Sequence, residues 1–344
     1  MQQRKLTKRS TSSLLVLSLC CWPAVAAAEL DPAAAPGQNF DLSNWKINLP
    51  ELETKGARKG KTVEISKQRL SDQRNPYSHP QWFYTDSGSG AMVFVAPNSA
   101  PTTPNSKNTR SELRAMLADD YGAANNNFAL AAHPKAKRFG AIGGNLSATL
   151  SVDHVSVSGN PKKSGAFSVV IGQIHGSDNE PLKIIYRKLP EHQTGSLSWN
   201  YELNPPSDLQ DAKDEDGNKW RQDIKHNVFG RHNLKAGDAE PEDGIALGER
   251  FSYQVRVEGN RMQLIFTKDL DHATPTSVSF EIDLAAGGYQ GHEVDRGYGE
   301  DWMYFKAGAY NQCNTKDKGP GCLWRGMEQG DYAQVSFFQL DLQQ

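Results

Sequence analysis

Three stretches of this 344-residue chain place proton-transfer and anion-binding residues at alternate positions. Arg110, Glu112 and Arg114 alternate in the first. Gln173 and His175 alternate in the second. Tyr304, Lys306, Tyr310 and Gln312 recur at multiples of two in the third. Alternate residues of a β-strand share a face. On neighbouring strands, these side chains would form one cationic, hydrogen-bonding surface carrying His and Tyr as proton carriers. Phe305, Ala307 and Ala309 fall on the opposite face and read as core. No Ser sits in a Gly-x-Ser-x-Gly setting, and no nucleotide-binding loop or glycosidase-type carboxylate pair is evident. The set suits β-elimination on a uronic acid. Removing the weakly acidic C5 proton builds negative charge on the adjacent carboxylate, which Arg and an amide donor can stabilise. A His or Tyr takes the proton, and a Tyr can protonate the departing glycosidic oxygen. This scheme calls for no metal and no organic cofactor.

Such residues need a sheet to position them. From Phe40 onward, short runs rich in Val, Ile, Phe, Tyr and Thr are separated by Gly, Pro, Asn and Asp. Runs such as 91–96, 145–152, 166–174, 182–187, 196–202, 251–257, 262–267, 276–282, 302–310 and 333–340 read as strands. Their number, with few helical periodicities, predicts an all-β jelly-roll sandwich. Residues 66–72 read as a short helix. With no internal repeat and no Gly/Ser-rich break, residues 38–344 read as one domain behind a linker at 29–37. The polar stretch 205–244 is a long excursion, open to reading as a lid or as a solvated loop.

Residues 1–28 have the features of a secretory signal. Arg4, Lys5, Lys8 and Arg9 precede an apolar core at 14–21, and Ala24, Ala26 and Ala28 supply the small residues before a cut. The segment carries four basic and no acidic residues, so its removal takes the formal net charge from -2 to -6. A periplasmic or extracellular address is expected, and a membrane span in the mature chain is not. Nucleic acid is an unfavourable partner for such a balance. An anionic substrate must instead meet a local basic patch. Cys20 and Cys21 leave with the segment. Cys313 and Cys322 remain, around a polar, turn-rich loop, and in an oxidising compartment they are expected to form a disulfide.

The blocks Arg110–Arg114, Gln173-Ile-His175 and Tyr304–Gln312 resemble, in order, the three signature blocks of polysaccharide lyase family 7, the alginate lyases. Weaker similarity at 42–50, 180–184 and 243–249 extends the resemblance over nearly the whole mature chain. It implies a jelly roll of two antiparallel sheets, one concave and holding the polymer in an open cleft. It implies that Arg110 and Gln173 neutralise the substrate carboxylate. His175 would assist as base. Tyr310 would act as acid, and also as base for mannuronate. Glu112, Arg114, Tyr304, Lys306 and Gln312 would hold neighbouring sugars. Ile174 is associated in that family with guluronate-containing substrates, so guluronate or mixed blocks are expected. The expected partner is alginate and the expected state a monomer. Two other readings remain open: a carbohydrate-binding jelly roll without catalysis, and a lyase for another polyuronate such as glucuronan.

Overall fold

The computed structural model describes residues 29–118 and 124–344; the expected secretory segment lies outside them. In chain order the strands are β1 (Trp45–Leu52), β2 (Thr62–Ile65), β3 (Phe83–Thr85), β4 (Met92–Pro97), β5 (Arg110–Ala115), β6 (Phe128–Ala129), β7 (Ala141–Ile142), β8 (Gly144–His154) and β9 (Ser168–His175). They continue as β10 (Leu182–Arg187), β11 (Thr194–Glu202), β12 (Asp223–Phe229), β13 (Ile245–Ala246), β14 (Phe251–Glu258), β15 (Arg261–Lys268), β16 (Thr276–Asp283), β17 (Trp302–Asn311) and β18 (Tyr332–Gln343). Lys67–Leu70 is a single helical turn capped by Ser66, whose hydroxyl accepts from the Arg69 N–H.

The strands form two sheets in a jelly roll. The cleft sheet runs β12-β11-β10-β9-β17-β5-β1-β2, with the two-residue strands β6, β7 and β13 at its margins. The back sheet runs β16-β15-β14-β8-β18-β4-β3. All pairings are antiparallel except the short β6–β7 contact.

Alternation explains how the sheets pack. Trp45, Ile47 and Leu49 of β1 point inward, while Lys46 and Asn48 point to the open face. Phe305, Ala307 and Ala309 of β17 are buried as expected. So is Ile174, which packs in the core and not in the cleft. Phe94 joins Phe83 and Phe337 at 5.2 and 5.3 Å, tying β3, β4 and β18 together. Each such ring, once buried, contributes about 1.5–3 kcal/mol.

Two segments differ from the sequence expectation. Residues 29–37 are no free linker. Leu30 packs on the core, and Asn39 Nδ2 donates to the carbonyls of Asp31 and Gly90. The 205–244 excursion contains β12, which extends the cleft sheet at its edge. Its polar alternation hid a strand that, among the described residues, pairs with β11 alone.

Candidate active site

A cleft of about 910 Å³ crosses the open face of the cleft sheet. Register sets its floor. Lys46, Arg114, Lys306, Gln173 and Lys183 are successive cross-strand partners on β1, β5, β17, β9 and β10. Tyr310 pairs with Arg110, and Tyr304 with His175. The sequence-predicted Arg110, Arg114, Gln173, His175, Tyr304, Lys306 and Tyr310 all line this cleft. Gln312 does not; it accepts from Asn108 Nδ2 at 3.1 Å and faces a neighbouring groove. Glu112 does not line the cleft either. It lies below the floor, 1% exposed.

That burial gives Glu112 a different task from touching sugar. Its Oε2 accepts from Arg110 at 2.9 Å and pairs with Lys306, and its Oε1 accepts from the Gln173 amide. One buried carboxylate therefore orients three cleft side chains. A buried charge of this kind is tolerable only because it is fully paired. Burial and the nearby Arg110 pull Lys306 down to about 8, against the opposing pull of Glu112. The Gln173 amide spends one N–H on Glu112 and keeps the other for a ligand.

Tyr310 is held from above. Its hydroxyl lies 3.0 Å from Ser106 Oγ, which also accepts from Arg110 at 2.9 Å, and the Arg110 guanidinium sits 4.0 Å from the Tyr310 ring centre. Ser106 belongs to the loop before β5, and that wall is braced in turn. Lys316, inside the Cys313–Cys322 loop, donates to Thr102 at 2.7 Å. The disulfide is formed, with Cα atoms 5.5 Å apart. On β17 the ladder slips between Ala307 and Tyr310, where Gly308 takes φ of 138°. A Cβ there would come within 2.6 Å of the Ser111 carbonyl oxygen, so the close approach of β17 to β5 requires glycine.

His175 stacks on Tyr304 at 5.1 Å, and Arg114 lies 4.1 Å from the Tyr304 ring centre. His175 Nδ1 contacts the Gly176 carbonyl at 2.6 Å, and its Nε2 faces Glu180 at 3.2 Å. Burial lowers the His175 pKa, opposed by the charge on Glu180 and assisted by Lys306. Burial would raise Glu180, but Lys183, a hydrogen bond with Glu202 and His175 hold it well below the usual range. Burial and the Glu180 hydrogen bond push Glu202 up to about 8. Lys183 contacts both carboxyls at 3.4 Å.

A family model described as alginate lyase matches residues 40–344. An alginate lyase of Klebsiella pneumoniae is 35% identical over 339 residues, covering 96% of each chain. The chain belongs to the alginate lyase family. It is accordingly a polysaccharide lyase. The crystal structure of the Klebsiella pneumoniae alginate lyase superposes with a TM-score of 0.68 at 33% identity, covering 90% of this chain and 98% of that one. An exolytic family 7 alginate lyase from Zobellia galactanivorans gives the same TM-score at 29% identity, covering 90% and 97%.

Several cleft residues of this alginate lyase escape sequence reasoning. Lys46 and Asn48 were visible as the polar half of an alternating strand. Ser106 sits in a Pro/Thr/Asn loop with no periodic signal. Glu202 and Arg221 reach the cleft through the β10–β11–β12 pairing, which no local pattern reports. Arg221 comes from the 205–244 excursion, so part of that segment reaches the cleft.

Proposed function

We propose that this protein depolymerises alginate by β-elimination, leaving an unsaturated uronate at the new non-reducing end. The observation that carries the reading is the convergence of Arg110, Gln173, His175 and Tyr310 on one cleft, three of its cationic and amide groups oriented by buried Glu112. Arg110 and the free N–H of Gln173 neutralise the substrate carboxylate, so that charge arriving as C5 loses its proton meets fixed donors. Burial favours the neutral form of His175, in which one ring nitrogen carries no proton and can accept the one leaving C5. On taking that proton it can donate to both Gly176 and Glu180, so the imidazolium is the state its neighbours satisfy best. Tyr310 passes its proton to the glycosidic oxygen, and Ser106 holds the hydroxyl in place. Lys46, Arg114 and Lys306 continue the positive row beneath flanking sugars.

Two separate proton carriers suit guluronate, whose proton and leaving group lie on opposite sides, and we read guluronate-containing or mixed blocks as the substrate. Because Ile174 is buried, its side chain acts on this choice only through packing. The Cys313–Cys322 disulfide supports an exported protein. The test is ultraviolet absorbance of the unsaturated product on separate polymannuronate, polyguluronate and glucuronan, with Tyr310→Phe alongside. A rise on polyguluronate that the variant loses is expected. A rise on glucuronan alone, or one that survives in Tyr310→Phe, would overturn the reading.

A further inference from the structure

Beside the cleft, on the same sheet face, lies a second groove of about 100 Å³ that shares its lining with a recess of about 250 Å³. The row of cross-strand partners that passes Gln173 continues through Lys183 to Asn200 on β11 and Lys225 on β12. Lys225 is three strand spacings, about 14 Å, from Gln173.

The groove is built rather than incidental. Buried Arg187 donates to the carbonyls of Ala166 at 3.1 Å, Pro161 at 2.9 Å and Leu234 at 2.7 Å. One guanidinium therefore ties together both walls, which carry Lys162 and Lys235. Asp223 is the one carboxylate among the described lining residues, and Lys183 engages it at 2.8 Å. Among the described residues, no carboxylate lies within 4.0 Å of the Lys162, Lys225 or Lys235 ammonium groups. Asn200 is 3% exposed, and its Oδ1 is buried without a donor. A buried acceptor left open is costly unless a ligand supplies the donor.

Lys225, which lines both the groove and the recess, Lys162 and Lys235 in the recess, and the unmet Asn200 oxygen in the groove together match a ligand that carries both carboxylates and hydroxyls. We propose that this groove is a second saccharide-carboxylate site, in which Lys225, Lys162 and Lys235 hold uronate units lying beyond the sugars being cleaved. The proposal rests on the polyuronate reading of the cleft. It assigns the 205–244 excursion a role in grip, since that segment supplies both Lys225 and Lys235. Holding one polymer at two places raises apparent affinity without touching the chemical step.

The experiment compares wild type with Lys225→Gln/Lys235→Gln on long alginate and on a tri-uronate, with thermal unfolding as the check that the variant folds. KM on the long polymer is expected to rise roughly three- to tenfold, the effect of two partly exposed charge contacts. The kcat and the trimer KM stay at wild-type values, and Lys225→Arg retains the polymer KM. An unchanged polymer KM, or an equal rise on trimer and polymer, overturns the proposal. Excess saturated trimer separates the two sources of ligand. Lysine-dependent modulation of wild-type polymer KM marks a separate fragment in the groove, and its absence alongside the length-dependent KM marks one spanning chain. If wild type yields no unsaturated product at all, the lyase reading fails by itself. Calorimetric binding of long alginate to wild type and variant then decides the groove: weaker binding in the variant supports it, and equal binding overturns it.

Discussion

The two sheets obey the same alternation but treat their outward charges differently. On the back sheet, β14 and β15 bury every second residue, and the residues between them meet water. Their ion pairs, Arg256–Glu258 and Arg261–Glu281, are exposed on both partners. On the cleft sheet the outward residues form a buried network instead: Glu112 under Arg110, Gln173 and Lys306, and Lys183 between Glu180 and Glu202. Exposed pairs are screened and pay side-chain entropy, so they contribute little. Buried charges are costly to place and more costly to leave half-paired. The buried Glu112 carboxylate meets side chains that line the cleft, so its cost is offset by the positioning it provides.

The contrast can be broken most sharply at Tyr310. Tyr310→Phe keeps the ring beneath Arg110 but removes the transferable proton, and kcat should fall about 10²–10⁴-fold with the unfolding midpoint nearly unchanged. Glu112→Ala comes next. Stranding Lys306 and Arg110 should cost about 3–5 kcal/mol in denaturant unfolding, with turnover falling because the Gln173 amide loses its orientation. Cys313→Ala/Cys322→Ala opens a loop of sequence separation 9. It should cost about 2–3 kcal/mol and loosen the wall that bears Ser106.

Glu180→Gln tests the electrostatics at smaller scale. The Glu180 charge favours protonated His175, so its removal lowers the His175 pKa further. The acid limb of kcat/KM should therefore move to lower pH; movement to higher pH would remove His175 as the group behind that limb. The smallest effect is expected from Arg261→Ala on the back sheet, which should leave unfolding and turnover unresolved from wild type. A substantial loss there would dissolve the distinction between the sheets.

The strands that the sequence made legible share a pattern. β8, β14, β15 and β18 alternate large apolar residues with polar ones over eight or more positions. The same period-two rule put Arg110, His175 and Tyr310 on outward faces. What it could not report is depth. Glu112 and Arg110 are outward alike, yet one is a cleft wall and the other its foundation, because burial depends on which long side chains fold over a position. β12 was missed because, as an edge strand with polar alternation, it lacks the apolar signal of its neighbours. Ser106, Glu202 and Arg221 come from loops and edges whose placement follows from strand order, a long-range property with no local mark.

Gly308 has a consequence for how this enzyme can vary. The gap it leaves is filled by the β5 backbone itself, with the Ser111 carbonyl and Glu112 Cα both within 3 Å of where a methyl would stand. Backbone cannot be repacked by a compensating mutation elsewhere. Any side chain at 308 would wedge β17 from β5 and part Tyr310 from Arg110 while leaving every chemically active residue in place. Variation in specificity is thereby steered away from the strand floor and into the surrounding loops, where insertions and exchanges leave that spacing intact. A random library selected for turnover should therefore recover glycine almost alone at position 308, while tolerating broad diversity in 54–57 and 213–219.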